Sequence, residues 1–186
     1  MRITPLDLEG ALIIEPDVYT DGRGFFKETY QQKRYKDHGV KAIFVQDNLS
    51  FSRKNTLRGL HFQNPRPQAK LVQVIQGEVL DVIVDIRLGS PTFGKWAGVR
   101  LSADNHRQLF APPGFAHGYC VLSEAAVFSY KCSDYYSPES EKGILWSDPD
   151  IGIVWPTKEP VLSDKDKAYP RLRDIPDAQL RFKSSS

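Results

Sequence analysis

Thr56 to Arg87 reads TLRGLHFQNPRPQAKLVQVIQGEVLDVIVDIR, and this stretch decides the fold. It holds two β-rich runs, Leu71 to Ile75 and Val79 to Ile86, joined at Gln76-Gly77 and preceded by a shorter run carrying Arg58 and His61. From Val79 onward Leu80, Val82, Val84 and Ile86 fall on one face, with Asp81, Asp85 and Arg87 on the other. That alternation predicts a half-buried strand.

Working outward, Ala11 to Glu15 reads as the first strand, closed by Pro16, and Asp21-Gly22-Arg23-Gly24 as a turn feeding Phe25 to Tyr30. Gln31 to Asp37 is polar and unbranched, which predicts one short helix ending near Gly39. Ile43 to Asn48 is the next strand candidate, with Gln46 and Asn48 on one face and Val45 and Asp47 on the other. Further candidates are Trp96 to Leu101, Gln108 to Ala111, Gly118 to Leu122 and Val127 to Cys132. Short strands separated by turn residues predict an all-β sandwich or barrel with few short helices. From Ser133 on, prolines at 138, 149, 156, 160, 170 and 176 predict a proline-rich C-terminal segment of loops and short turns over the barrel. No repeat or linker divides the chain, so residues 1–186 are expected to form a single domain, long enough to bury roughly two-thirds of its unfolded surface.

The formal charge of +2 comes from interspersed charges with no basic run, which gives no case for nucleic acid or a membrane surface. Cys120 and Cys132 lie in apolar β-like runs and read as small buried thiols, not a disulfide framework. Asp7 and Glu9 fall where a signal peptide needs an apolar centre, and no apolar run is long enough to span a bilayer, so a cytoplasmic location is expected.

Pro112 to His117, in the segment APPGFAHG, matches the Pro-x-Gly-x-x-His pattern of a second cupin motif. A first cupin motif supplies His-x-His and then a Glu seven residues before a glycine, ligands that with the later His hold a divalent metal. Here the second His is Gln63, and the position seven before Gly77 is Lys70. An ammonium repels a cation, so the resemblance implies a cupin-type jelly-roll β-barrel that has lost its metal.

A pocket holding a His, a Lys, a Tyr and several Arg suits proton transfer beside a carbonyl. Such a carbon acid is too weak for neutral imidazole unless charge on the enolate oxygen is stabilised. His61 is then the candidate base and Lys70 the candidate stabiliser. Residue types alone leave these roles open.

The segments Asp21-Gly-Arg-Gly-Phe-Phe-Lys-Glu28, Phe44-Val-Gln-Asp-Asn48, Leu57-Arg-Gly-Leu-His-Phe-Gln63, Lys70-Leu-Val, Pro113-Gly-Phe-Ala-His-Gly118, Tyr130-Lys, Tyr135-Tyr-Ser-Pro138 and Leu162-Ser-Asp-Lys-Asp166 follow in order along nearly the whole chain. Together they resemble the dTDP-4-dehydrorhamnose 3,5-epimerase family of nucleotide-sugar enzymes, which are metal-independent cupin jelly rolls, usually homodimeric and without a cofactor. The resemblance implies an isomerase that inverts C3 and C5 of dTDP-4-dehydro-6-deoxy-D-glucose in dTDP-L-rhamnose synthesis. It implies that His61 removes the proton, that Asp166 orients it, and that Tyr130 protonates the opposite face. It further implies substrate contacts from Arg23, Glu28, Gln46, Asp47, Asn48, Arg58, Lys70, His117, Glu141 and Lys165, Arg being suited to a diphosphate through its planar fork. Phe26 and Tyr136 either line the pocket, stack on the thymine, or belong to the core. Taken singly, each of these charges reads as an ordinary solvated side chain; their joint order is what shifts the reading.

Three other readings stay open. A relative could invert only C3 or only C5. A metal cupin could use His61 and His117 with other carboxylates, and a non-catalytic jelly roll could simply bind sugar. One feature resists a regular strand, since Arg58 and His61 have opposite parity; a bulge at Gly59 would bring both inward. The insert Asn64-Pro-Arg-Pro-Gln68 also leaves the depth of Lys70 open.

Overall fold

A computed structural model describes residues 1–182, so residues 183–186 of the expected domain lie outside the described residues. In chain order the strands are β1 (Arg2–Pro5), β2 (Leu12–Glu15), β3 (Val18–Asp21), β4 (Gly24–Lys27), β5 (Gln46–Arg53), β6 (Leu57–Gln63), β7 (Lys70–Gln76), β8 (Glu78–Asp85), β9 (Trp96–Ser102), β10 (Gln108–Ala111), β11 (Phe115–Val121), β12 (Ala125–Cys132) and β13 (Glu141–Gly143). Two short helices, α1 (Gln32–Asp37) and α2 (Asp164–Lys167), complete the regular elements apart from two 3₁₀ turns near the end.

Six strands form one sheet in the order β1-β2-β10-β7-β12-β5, and five form a second in the order β13-β6-β11-β8-β9. β3 and β4 make a separate hairpin. From β5 to β13 the chain passes repeatedly from one sheet to the other, as at Gly77 between β7 and β8, and this alternation makes the all-β fold a cupin-type jelly roll.

Period-two patterning explains the layers. Val72 and Val74 of β7 point between the sheets with Val79, Ile83, Leu109 and Phe128, whereas Leu71 points outward to Tyr35 and Val40 beside α1. The expectation of a half-buried β8 is corrected: both of its faces are buried. Val82, Val84 and Ile86 lie under Ile144, Ile151, Leu172, Ile175 and Leu180, so the C-terminal segment covers the face that would otherwise meet water. The opposite face buries Asp81 and Asp85 completely. A buried carboxylate needs partners, and both have them: His117 for Asp81, and Arg87, Ser90 and Thr92 for Asp85.

Other boundaries shift for local reasons. Ala11 to Glu15 is not the first strand, because β1 precedes and pairs with β2; β1 is mostly exposed and carries no apolar alternation that would announce it. The Ile43 to Asn48 strand begins later and continues to Arg53, along an edge where Leu49 and Phe51 face out. The segment after Ser133 holds β13 and α2 besides turns; α2 forms because Ser163 accepts a hydrogen bond from the Asp166 amide as its N-cap.

The parity conflict in β6 is resolved by a bulge. His117 pairs with His61 and Tyr119 with Arg58, so three residue steps on β6 oppose two on β11. Gly59 has φ of 140°, and a Cβ there would lie 2.6 Å from the Gly118 Cα. Glycine on both strands therefore permits the close approach that turns Arg58 and His61 to the same side.

Candidate active site

The sheets enclose a cavity of about 540 Å³ whose lining includes Arg58, His61, Lys70, His117, Tyr130 and Asp166. A smaller one of about 210 Å³, lined by Gln46, Asn48, Gln63 and Cys132 among others, adjoins it and shares His61, Lys70, Tyr130, Tyr136 and Glu141. One wall follows from sheet register. Lys70 on β7 pairs with Cys132 on β12, which pairs with Gln46 on β5; two residues along, on the same face, Tyr130 pairs with Asn48. The facing wall is β6, with His61 opposite His117 on one side and Gly143 on the other.

His61 Nε2 lies 2.6 Å from Asp166 Oδ1, with the imidazole 30% exposed and the Asp166 side chain 5% exposed. Burial pulls the Asp166 carboxyl upward, but hydrogen bonds and charge from His61, together with contacts from Ser163 and the Gly59 amide, outweigh it and hold the group below its ordinary value. Asp166 therefore remains a carboxylate beside the imidazole, fixing one ring nitrogen and leaving the other for the cavity.

Burial lowers the Lys70 pKa, opposed by the fields of Cys132, Asp81 and Glu141. Burial also pushes the Tyr130 phenol up to about 12, so it keeps its proton at neutral pH. Glu141 sits between Lys165, with which it pairs, and the Tyr136 hydroxyl, which donates to it at 2.7 Å. Burial raises its pKa, and these two hydrogen bonds pull it below the usual value.

The structure thus brings together eleven of the expected residues: His61, Lys70, Tyr130, Asp166, Gln46, Asn48, Arg58, His117, Tyr136, Glu141 and Lys165. It does not bring four others to either cavity. Asp47 points to the outer face and pairs with Lys131, because strand parity puts it opposite to Gln46 and Asn48. Arg23 and Phe26 sit on the β3-β4 hairpin, and Glu28 just beyond it pairs with Arg34.

Positions corresponding to cupin metal ligands converge here, but their chemistry does not suit a cation. Lys70 supplies an ammonium, and the Gln63 amide is already spent on Arg66 O and the Ser137 amide. His117 Nε2 is bound to Asp81. Among the described residues no group of three or more His, Cys, Asp or Glu is placed to hold a metal.

Sequence reasoning missed Cys132 as a wall residue and Asp81 as the partner of His117. For Cys132 the signal was available in its parity with Tyr130; for Asp81 none was, since an acidic residue on an alternating strand reads as solvent-facing.

A model of the dTDP-4-dehydrorhamnose 3,5-epimerase family matches residues 5–174. The chain belongs to that family. An enzyme of the same description from Salmonella typhimurium is 58% identical over 175 residues, covering 92% of this chain and 96% of its own. The crystal structure of a dTDP-6-deoxy-D-glucose-3,5-epimerase from Legionella pneumophila, solved with dTDP-4-keto-L-rhamnose, superposes with a TM-score of 0.95 at 52% identity, over 98% of this chain and 99% of that one. A dTDP-4-dehydrorhamnose 3-epimerase of Streptomyces niveus is 40% identical over 182 residues, covering 97% of this chain and 88% of its own. As a member of the epimerase family the chain is an isomerase. Among the described residues no helix is long and apolar enough to cross a membrane.

Proposed function

We propose that the chain inverts C3 and C5 of dTDP-4-dehydro-6-deoxy-D-glucose, giving dTDP-4-dehydro-β-L-rhamnose for dTDP-L-rhamnose synthesis. The observation that carries this reading is the placement of His61 and Tyr130 on opposite sheets across one cavity, with Lys70 on the strand beside Tyr130, in the wall that faces His61. His61 takes the proton from carbon α to the C4 ketone, and the electron pair moves onto the C4 oxygen. The Lys70 ammonium donates to that oxygen as charge develops there. Tyr130 delivers its phenolic proton to the other face of the ring, and solvent restores it; because base and acid lie on different sides, each cycle inverts a centre. The same arrangement serves C3 and C5, which flank one carbonyl. Asp166 stabilises the imidazolium.

Gln46, Asn48, Arg58, His117, Tyr136, Glu141 and Lys165 are assigned to holding the dTDP-sugar, and no metal or cofactor enters the reaction. Arg58 donates from Nε to Ser52 Oγ at 3.0 Å and from Nη2 to Phe51 O at 3.4 Å, which anchor its exposed guanidinium and leave its remaining N–H groups to meet a diphosphate. Residues 1–186 act as a single cytoplasmic domain, and the working unit is a homodimer. Support for the dimer comes from exposed apolar surface: Phe25, Phe26 and Tyr19 on the hairpin are 59%, 69% and 65% exposed, and Leu49 and Phe51 on the β5 edge 71% and 60%. In this dimer the hairpin of one protomer carries Arg23, Phe26 and Glu28 to the cavity of its partner, while Asp47 acts through Lys131 beside the site.

Turnover of the ketosugar in deuterated water tests the reaction. Label is expected at both C3 and C5; label at one carbon alone would make the chain a single-centre epimerase, and label at neither would exclude α-deprotonation.

A further inference from the structure

Among the described residues, the Tyr169 hydroxyl is the one buried side-chain polar group without a hydrogen-bond partner. Its ring meets the His61 imidazole edge to face, with centroids 5.7 Å apart and planes at 69°. Gly143 lies directly across the β13-β6 ladder from His61, and a Cβ on it would come within 2.4 Å of Tyr169 Cε2 and 2.5 Å of Cδ2 and Cζ. Three ring atoms at nearly one distance mean that the phenol lies flat over the Gly143 backbone. Only glycine leaves that space.

The hydrogen bond that His61 Nε2 donates to Asp166 Oδ1 fixes one imidazole nitrogen but not the tilt of the ring about that bond. Tyr169 follows Asp166 by three residues, just past the end of α2, so the turn that supplies the carboxylate also supplies the abutting ring. Phenol oxygen chemistry is not what the location offers, since burial and the fields of Glu141 and Asp166 push its pKa upward and keep it neutral.

We propose that Tyr169 is a positioning residue for the His61 base, its ring wedged between Gly143 and the imidazole so that the nitrogen not bound to Asp166 stays aimed at the sugar. This rests on His61 being the base. The ring acts by packing, and the hydroxyl is incidental.

The test compares steady-state turnover and its pH profile for Tyr169→Phe, Tyr169→Ala, Gly143→Ala and His61→Asn. Tyr169→Ala and Gly143→Ala are expected to lower kcat by roughly ten-fold or more, with KM nearly unchanged and the acid limb of the kcat/KM profile displaced. Tyr169→Phe should keep kcat within about two-fold of the parent, a rescue that a purely destabilising change would not give. Parental kcat and pH profile in a folded Tyr169→Ala variant, when His61→Asn is inactive, would overturn the clamp alone. A loss in Tyr169→Phe equal to that in Tyr169→Ala would also overturn it, by assigning the effect to the hydroxyl. Full turnover in His61→Asn would instead refute the base assignment on which the clamp depends.

Discussion

Lys70 lines the cavity, where opposing influences act on its charged form. Desolvation disfavours it; the carboxylates of Asp81 and Glu141 favour it. A developing enolate adds the partner that the resting site lacks at short range, which makes the attraction stronger in the transition state than in the ground state. The identity of this residue was legible from its spacing to Gly77, because a lysine where a carboxylate ligand belongs stands out in any cupin-like motif. Its depth was not legible, since the Asn64 to Gln68 insert gives no length rule for how far the next strand is set back. Asp166 was legible only through resemblance: it meets His61 across 105 positions of sequence, and no local pattern encodes such a pairing.

At the scale of elements, β-rich runs bounded by turn residues were enough to locate β7, β10 and β12, and β7 and β12 supply one wall of the cavity. Period-two alternation was a weaker guide. It failed where a strand is covered on both sides, as in β8, or covered on neither, as in β1. The bulge in β6 is a pairwise property of Gly59 and Gly118, so one strand's sequence could only hint at it. A Cβ at Gly118 would lie 2.7 Å from the Arg58 carbonyl oxygen and 3.0 Å from the Gly59 Cα, both backbone atoms that cannot swing aside. Gly118→Ala is therefore expected to destabilise the protein by about 3 kcal/mol through overpacking, seen in thermal unfolding as a Tm lower by roughly 10 °C. An unchanged Tm would mean that the two strands have room to part, and that the close approach does not hold Arg58 and His61 on one side.

At the scale of the molecule, the cavity built by one chain lacks four residues expected to contact substrate, and three of them, Arg23, Phe26 and Glu28, lie on or beside an exposed aromatic hairpin. Where that hairpin goes was not legible in the sequence, which fixes its turn at Asp21 to Gly24 but not the surface it meets. If a second copy receives it, His61→Asn and Arg23→Ala subunits, each inactive as homodimers, should recover activity when refolded together. Half of the dimers would be mixed and each would hold one intact site, giving about a quarter of parental activity; no recovery would confine the site to one chain. The central claim is that imidazole and ammonium, not a metal, make the carbon acid labile. It is tested most directly by the rate of deuterium exchange at C3 and C5 of dTDP-4-dehydro-6-deoxy-D-glucose in His61→Asn and Lys70→Gln. Both variants are predicted to bind dTDP while exchange at both carbons falls by roughly a hundred-fold or more, and exchange at the parental rate in either would contradict the account.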